Sequence, residues 1–118
     1  MKLKKIYLVV FLLISSFAFS QSLKVVTKQA KKDFKAKNYQ AAAEGYTKAL
    51  ALKPNVFLFL VNRAFSYEKL SKLKEAIADY RQALVVKKDA EKLYMKVADL
   101  SMTLGDYATA VLYLDNLI

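Results

Sequence analysis

Six columns of residues return at an interval of 34: Ala30, Ala64 and Ala98; Tyr39, Leu73 and Tyr107; Ala42, Ala76 and Ala110; Tyr46, Tyr80 and Leu114; Ala49, Ala83 and Leu117; Leu50, Leu84 and Ile118. A unit of this length cannot bury an apolar face alone, so neighbouring units must stack and share a core. Within a unit the apolar spacing is helical: Ala76, Ile77, Tyr80, Ala83 and Leu84 fall on one face of a helix. Each unit is therefore expected to be two helices joined by a tight turn. The turns fall at Lys37-Asn38, Ser71-Lys72 and Gly105-Asp106, where Asn, Ser or Gly can end one helix and Asn or Asp can cap the next. Between units, Pro54 pushes Lys53 out of the helical region, and Lys87-Lys88-Asp89 forms the second break, with Asp89 as the expected cap. Ala64 and Ala76 let the two helices of one hairpin approach closely, with Tyr80 and Leu73 filling the space beside them.

The composition fits helices and removes most catalytic chemistry. Two Gly and one Pro in 118 residues argue against a turn-rich β fold and against glycine-rich phosphate loops. With no His and no Cys there is no imidazole base, no thiolate and no zinc site of the usual ligands. No catalytic, cofactor-binding or metal-binding residue is assigned, and the chain is not expected to be an enzyme. Glu75 and Asp79 are read as an exposed helix face paired with Lys72 or Lys74 rather than as an acid-base dyad. Asp99 is a lone carboxylate.

The first twenty residues stand apart. Lys2, Lys4 and Lys5 precede an apolar run from Ile6 to Ile14, and Ser15, Ser16, Ala18 and Ser20 then turn small and polar, with Phe17 and Phe19 between them. This is the layout of a secretory signal peptide, with the cut expected between Ser20 and Gln21. The competing reading is a retained membrane anchor, for which Ile6 to Phe19 is short of the roughly 20 residues that cross a bilayer. Export predicts a periplasmic or secreted product of a bacterial cell. The expected organisation is a leader over 1–20 and a repeat domain over 21–118, with units at about 23–56, 57–90 and 91–118, the last truncated.

The pattern of small and aromatic positions resembles the tetratricopeptide repeat family. The second unit carries it most closely, from Val61 in VNRAFSYEKLSKLKEAIADYRQALVVKK; the first, AKKDFKAKNYQAAAEGYTKALALKP, matches well in its second helix; the third, LYMKVADLSMTLGDYATAVLYLDNLI, is good through Ala110. The resemblance implies an all-α fold of three stacked hairpins in a right-handed α-solenoid. It also implies that the first helix of each hairpin lines a concave groove for a peptide or partner protein.

Lys24, Lys28, Lys31 and Lys35 fall within an arc of about 60° on the first of these helices, centred over about 100° from Leu23, Val26, Ala30 and Phe34. By the family's stacking the matching residues are Leu58, Asn62, Phe65 and Lys69, then Lys92, Lys96, Asp99 and Thr103. Such a lining is basic around an apolar patch at Leu58 and Phe65, and suits a segment with acidic residues around one hydrophobic anchor. The family's carboxylate clamp is matched at Asn62 and Lys92, with Lys96 where the clamp has Arg. Thr27 and Lys31 depart from it, and Lys cannot supply Arg's bidentate fork. The same lysines also read as a solvated face that keeps the protein soluble.

The formal charge is +10, from 20 basic and 10 acidic residues. Without the three leader lysines, most of the excess lies between Lys24 and Lys37. Nucleic acid is a poor partner for an exported chain whose tyrosines, Tyr46, Tyr80 and Tyr107, sit at packing positions. Peripheral contact of the lysine stripe with an anionic membrane is the alternative function. Val111, Leu112, Leu114, Leu117 and Ile118 leave the last hairpin apolar, which predicts self-association there.

Overall fold

The computed structural model describes residues 2–118, the side chain of Gln21 excepted. It contains six helices: α1 (Lys2–Lys35), α2 (Tyr39–Leu52), α3 (Phe57–Lys69), α4 (Leu73–Val86), α5 (Glu91–Thr103) and α6 (Tyr107–Asp115). They pair as α1-α2, α3-α4 and α5-α6, and each packs on its neighbours in sequence. α1 runs without a break through the expected leader boundary. Its 34 residues are about 51 Å of helix, and they give the molecule its long dimension of 64 Å.

The three hairpin turns share one construction. Lys37, Ser71 and Gly105, again 34 apart, take left-handed backbone angles with φ of 61°, 59° and 79°. In each, the amide of the next residue reaches back across the turn: Asn38 to the Asp33 carbonyl, Lys72 to Tyr67 and Asp106 to Ser101, at 2.9, 2.8 and 2.9 Å. The left-handed residue donates to Phe34, Glu68 and Met102 respectively. This is the Schellman ending, which satisfies the last carbonyls of a helix. Of the three following caps, only Asp106 uses its side chain, accepting from the Thr109 amide at 3.1 Å. That bond holds the Asp106 carboxyl below its ordinary range. Ala90, not Asp89, is the residue that caps α5, with Asp89 offering its backbone carbonyl to the Glu91 amide.

The alanine columns are the seams of the core. Ala30, Ala64 and Ala98 are fully buried, as are Ala42 and Ala76, with Ala110 nearly so. The larger residues form two clusters. One gathers Tyr46, Phe59 and the alanines of the first hairpin; the other joins Leu60, Tyr80 and Leu84 to Leu93, Val97 and Leu100. Tyr107, expected at a packing position, is instead exposed, because no described residue lies over the outer side of α6.

One column shows how degenerate the repeat is. At Gly45 a Cβ would come within 2.8 Å of the Ala30 Cβ, so glycine permits the close approach of α2 to α1. Its counterpart Asp79 is buried and takes the Arg63 guanidinium in a two-pronged pair, both contacts at 2.7 Å. The expectation of an exposed Asp79 paired with Lys72 or Lys74 is thereby corrected: its partner comes from α3, 16 residues away. The third counterpart, Tyr113, accepts from Arg81 at 2.9 Å and packs on Tyr94.

Candidate peptide-binding face

The odd-numbered helices meet through their side chains on one side of the array. Phe65, at the middle of α3, packs against Phe34 of α1 and Tyr39, with ring centroids 5.7 and 5.9 Å apart and edges turned to faces. Two ammonium groups lie over the Phe65 ring, Lys69 at 5.2 Å and Lys96 of α5 at 5.9 Å. The apolar centre expected from Phe65 is thus a three-ring cluster edged by cations drawn from two repeats. Leu58 is 48% exposed two turns earlier on α3, at a spacing that places it on the face of Phe65.

The remaining expected residues divide by element. Lys24, Lys28, Lys31 and Lys35 are all exposed on α1, and the two ion pairs formed among the described residues involve none of them. On α5, Lys92, Lys96 and Asp99 border a hollow of about 310 Å³ together with Glu68, Met95 and Leu100. A larger hollow, about 470 Å³, lies elsewhere, between α2 and the second hairpin, and is lined by Gln40, Glu44, Thr47 and Tyr67 among others. It contains no expected groove residue, and the polar side chains at its edge offer no charge of one sign.

Two of the expected residues are already engaged. Asn62 donates to the Tyr46 hydroxyl at 2.9 Å; burial pushes that phenol up, and the Asn62 bond acts in the opposite direction. Lys96 donates to Glu68 at 2.7 Å, and the other Glu68 oxygen accepts from the Tyr80 hydroxyl at 2.9 Å. The Tyr80 phenol is held far above its ordinary range, first by burial and then by Glu68. Glu68 was not singled out from the sequence, and Phe34 and Tyr39 were read there only as packing and repeat positions. Glu68 lies three residues after Phe65, the helical spacing that could have placed it on the same face.

Residues 59–89 match the tetratricopeptide repeat family. The small glutamine-rich tetratricopeptide repeat-containing protein 2 of Mycosarcoma maydis is 32% identical over 83 residues, which is 70% of this chain and 24% of that protein. The chain spans a quarter or less of the length of the curated relatives it matches. Among solved structures, the TPR2B domain of yeast Sti1 in complex with pHsp70 superposes with a TM-score of 0.68 at 25% identity, over 81% of this chain and 77% of that one. The first TPR of Spaghetti (RPAP3), bound to the HSP90 peptide SRMEEVD, gives 0.69 at 26% identity over 82% and 77%. That fold is in general an interaction module rather than a catalytic one. The matched repeat in the middle and the superposition of the array show three tetratricopeptide-like hairpins stacked as a solenoid.

Proposed function

We propose that the chain is an exported, non-catalytic scaffold whose concave basic face binds an acidic segment of an envelope protein around one hydrophobic anchor. The observation that carries this is the Phe34, Tyr39 and Phe65 cluster, with Lys69 and Lys96 over its central ring; the exposed lysines of α1 are assigned to the same face by the repeat's stacking. An apolar side chain fits the rings, and flanking carboxylates fit the ammonium groups. The peptide held by the RPAP3 repeat, SRMEEVD, has this make-up, with acidic residues around Met and Val. Surface lysines are screened by salt, so binding weakens as ionic strength rises past about 0.15 M.

A second reading, contact with an anionic membrane surface, is favoured by α1 alone. The helix is long and apolar enough to cross a membrane, and its apolar stretch is not buried in the fold. Such a surface calls for lipid or for removal, so it fits a retained anchor as well as a leader over residues 1–20. The discriminating experiment is a crosslinking pulldown from the envelope fraction with Lys28, Lys31 and Lys92 changed to Glu, run beside vesicle flotation with and without acidic lipid. Loss of a protein partner on charge reversal, with no flotation of the leader-free chain, supports the scaffold. Flotation that needs acidic lipid, with an unchanged pulldown, supports the membrane reading.

A further inference from the structure

Three residues, one in the core and two beside the proposed face, form a relay across three helices. Lys96 of α5 donates to one oxygen of Glu68 on α3, and Tyr80 of α4 donates to the other. Their surroundings differ. Tyr80 is 2% exposed and fixed in the core, whereas the Glu68 and Lys96 side chains are 21% and 41% exposed. The acid is therefore tethered from beneath by an immobile hydroxyl, while its cation stands at the surface, beside Phe65 at 5.9 Å and on the rim of the hollow it shares with Lys92. The corresponding lysine of the first repeat, Lys28, forms no such pair.

We propose that Glu68 is a built-in competitor for the groove's own cation: its carboxylate holds Lys96 where a ligand carboxylate would, so an acidic segment gains the third repeat's charge only by displacing Glu68. This rests on the groove reading above and sets its selectivity. An ion pair this open to water is weakly held, so a ligand can displace it. Once Lys96 is drawn away, Tyr80 keeps Glu68 in place, and the freed carboxylate repels any acid lying against it. The face consequently disfavours a single stray carboxylate and favours a segment whose several acids reach the lysines of α1 first.

The test is a fluorescence titration with a labelled peptide of alternating Glu residues around one Leu, at about 0.1 M salt. Glu68→Gln keeps an oxygen for Tyr80 and removes the charge that holds Lys96; it is expected to tighten binding about five-fold. Glu68→Gln with Lys96→Met loses that gain and returns to the wild-type affinity. Glu75→Gln, the same charge change on the exposed side of α4, leaves affinity within about 1.5-fold, because an acid off the binding face is screened. Equal affinities for Glu68→Gln and Glu75→Gln overturn the proposal. Lys28→Glu with Lys31→Glu separates the two levels. If this variant loses binding while Glu68→Gln gains nothing, Glu68 is only a brace and the groove stands; if it binds as well as wild type, or no form binds, both fall. Should Glu68→Gln fail to fold, Glu68→Met removes the same charge at similar length and is likewise expected to tighten binding; unchanged or weaker binding by a folded Glu68→Met contradicts the competition.

Discussion

α4 and α6 offer the same face of the repeat and meet opposite surroundings. Ala76 and Ala110 are both buried, but Tyr80 is 2% exposed where Leu114 is 39%. α4 is covered by α5, whose Leu93, Val97 and Leu100 join Tyr80 and Leu84 in one cluster. Among the described residues α6 packs on α5 and is reached by Arg81 of α4, and nothing lies over its outer side. A repeat's apolar column states which surface must be covered, and the following helix decides whether it is. Stability should accordingly concentrate where the second hairpin meets the third.

Substitutions at paired positions sharpen this contrast. Tyr80→Ala removes a buried ring and strands Glu68, and is expected to cost about 3–5 kcal/mol in a denaturant melt, against about 1 kcal/mol for Leu114→Ala. Equal costs would break the comparison. Asp79→Ala leaves the Arg63 guanidinium unpaired; because Arg63 is 20% exposed and can partly rehydrate, about 2 kcal/mol is expected rather than the full cost of a buried orphan charge. The turns provide a smaller effect of opposite signs. Ser71→Gly relieves a left-handed non-glycine residue and should stabilise by about 0.5–1 kcal/mol, while Gly105→Ala should destabilise by about 1 kcal/mol. The smallest effect concerns Asp106. Its carboxyl is held below the ordinary value in the folded state, so its contribution is present above about pH 4 and is lost as the pH falls through the lowered value. Amide exchange at Thr109 should therefore accelerate in acid, and Asp106→Asn should abolish that acid dependence.

The repeat was legible because its period is carried by residues that pack against one another: the alanine seams and Tyr46 and Tyr80 are buried as their spacing implies. The turn positions were legible too, but not their left-handed form at Lys37 and Ser71, since neither residue type favours it. Asp79 was misread because its i,i+4 neighbour Glu75 suggests an exposed acidic face, whereas its partner Arg63 is set by how the hairpin closes. The proposed binding face is less open to such reading. Phe65 and the lysines could be placed by helical spacing alone, but the company of Phe65 depends on the approach of Phe34 and Tyr39 from another repeat. The hold of Glu68 on Lys96 likewise spans 28 residues and two helices. Periodicity assigns a residue to a face; only stacking decides its partner there.

The two open surfaces, the cationic aromatic face and the outer side of α6, differ in chemistry and can be told apart directly. Backbone amide NMR of the leader-free chain, titrated with the same Glu and Leu peptide, locates the bound segment. The largest shift changes are expected on the helices that carry Lys28, Lys31, Phe65 and Lys69, fading as salt is raised to about 0.5 M. Changes confined to Val111, Leu112 and Leu114, or changes that persist unaltered in high salt, would contradict a basic binding groove.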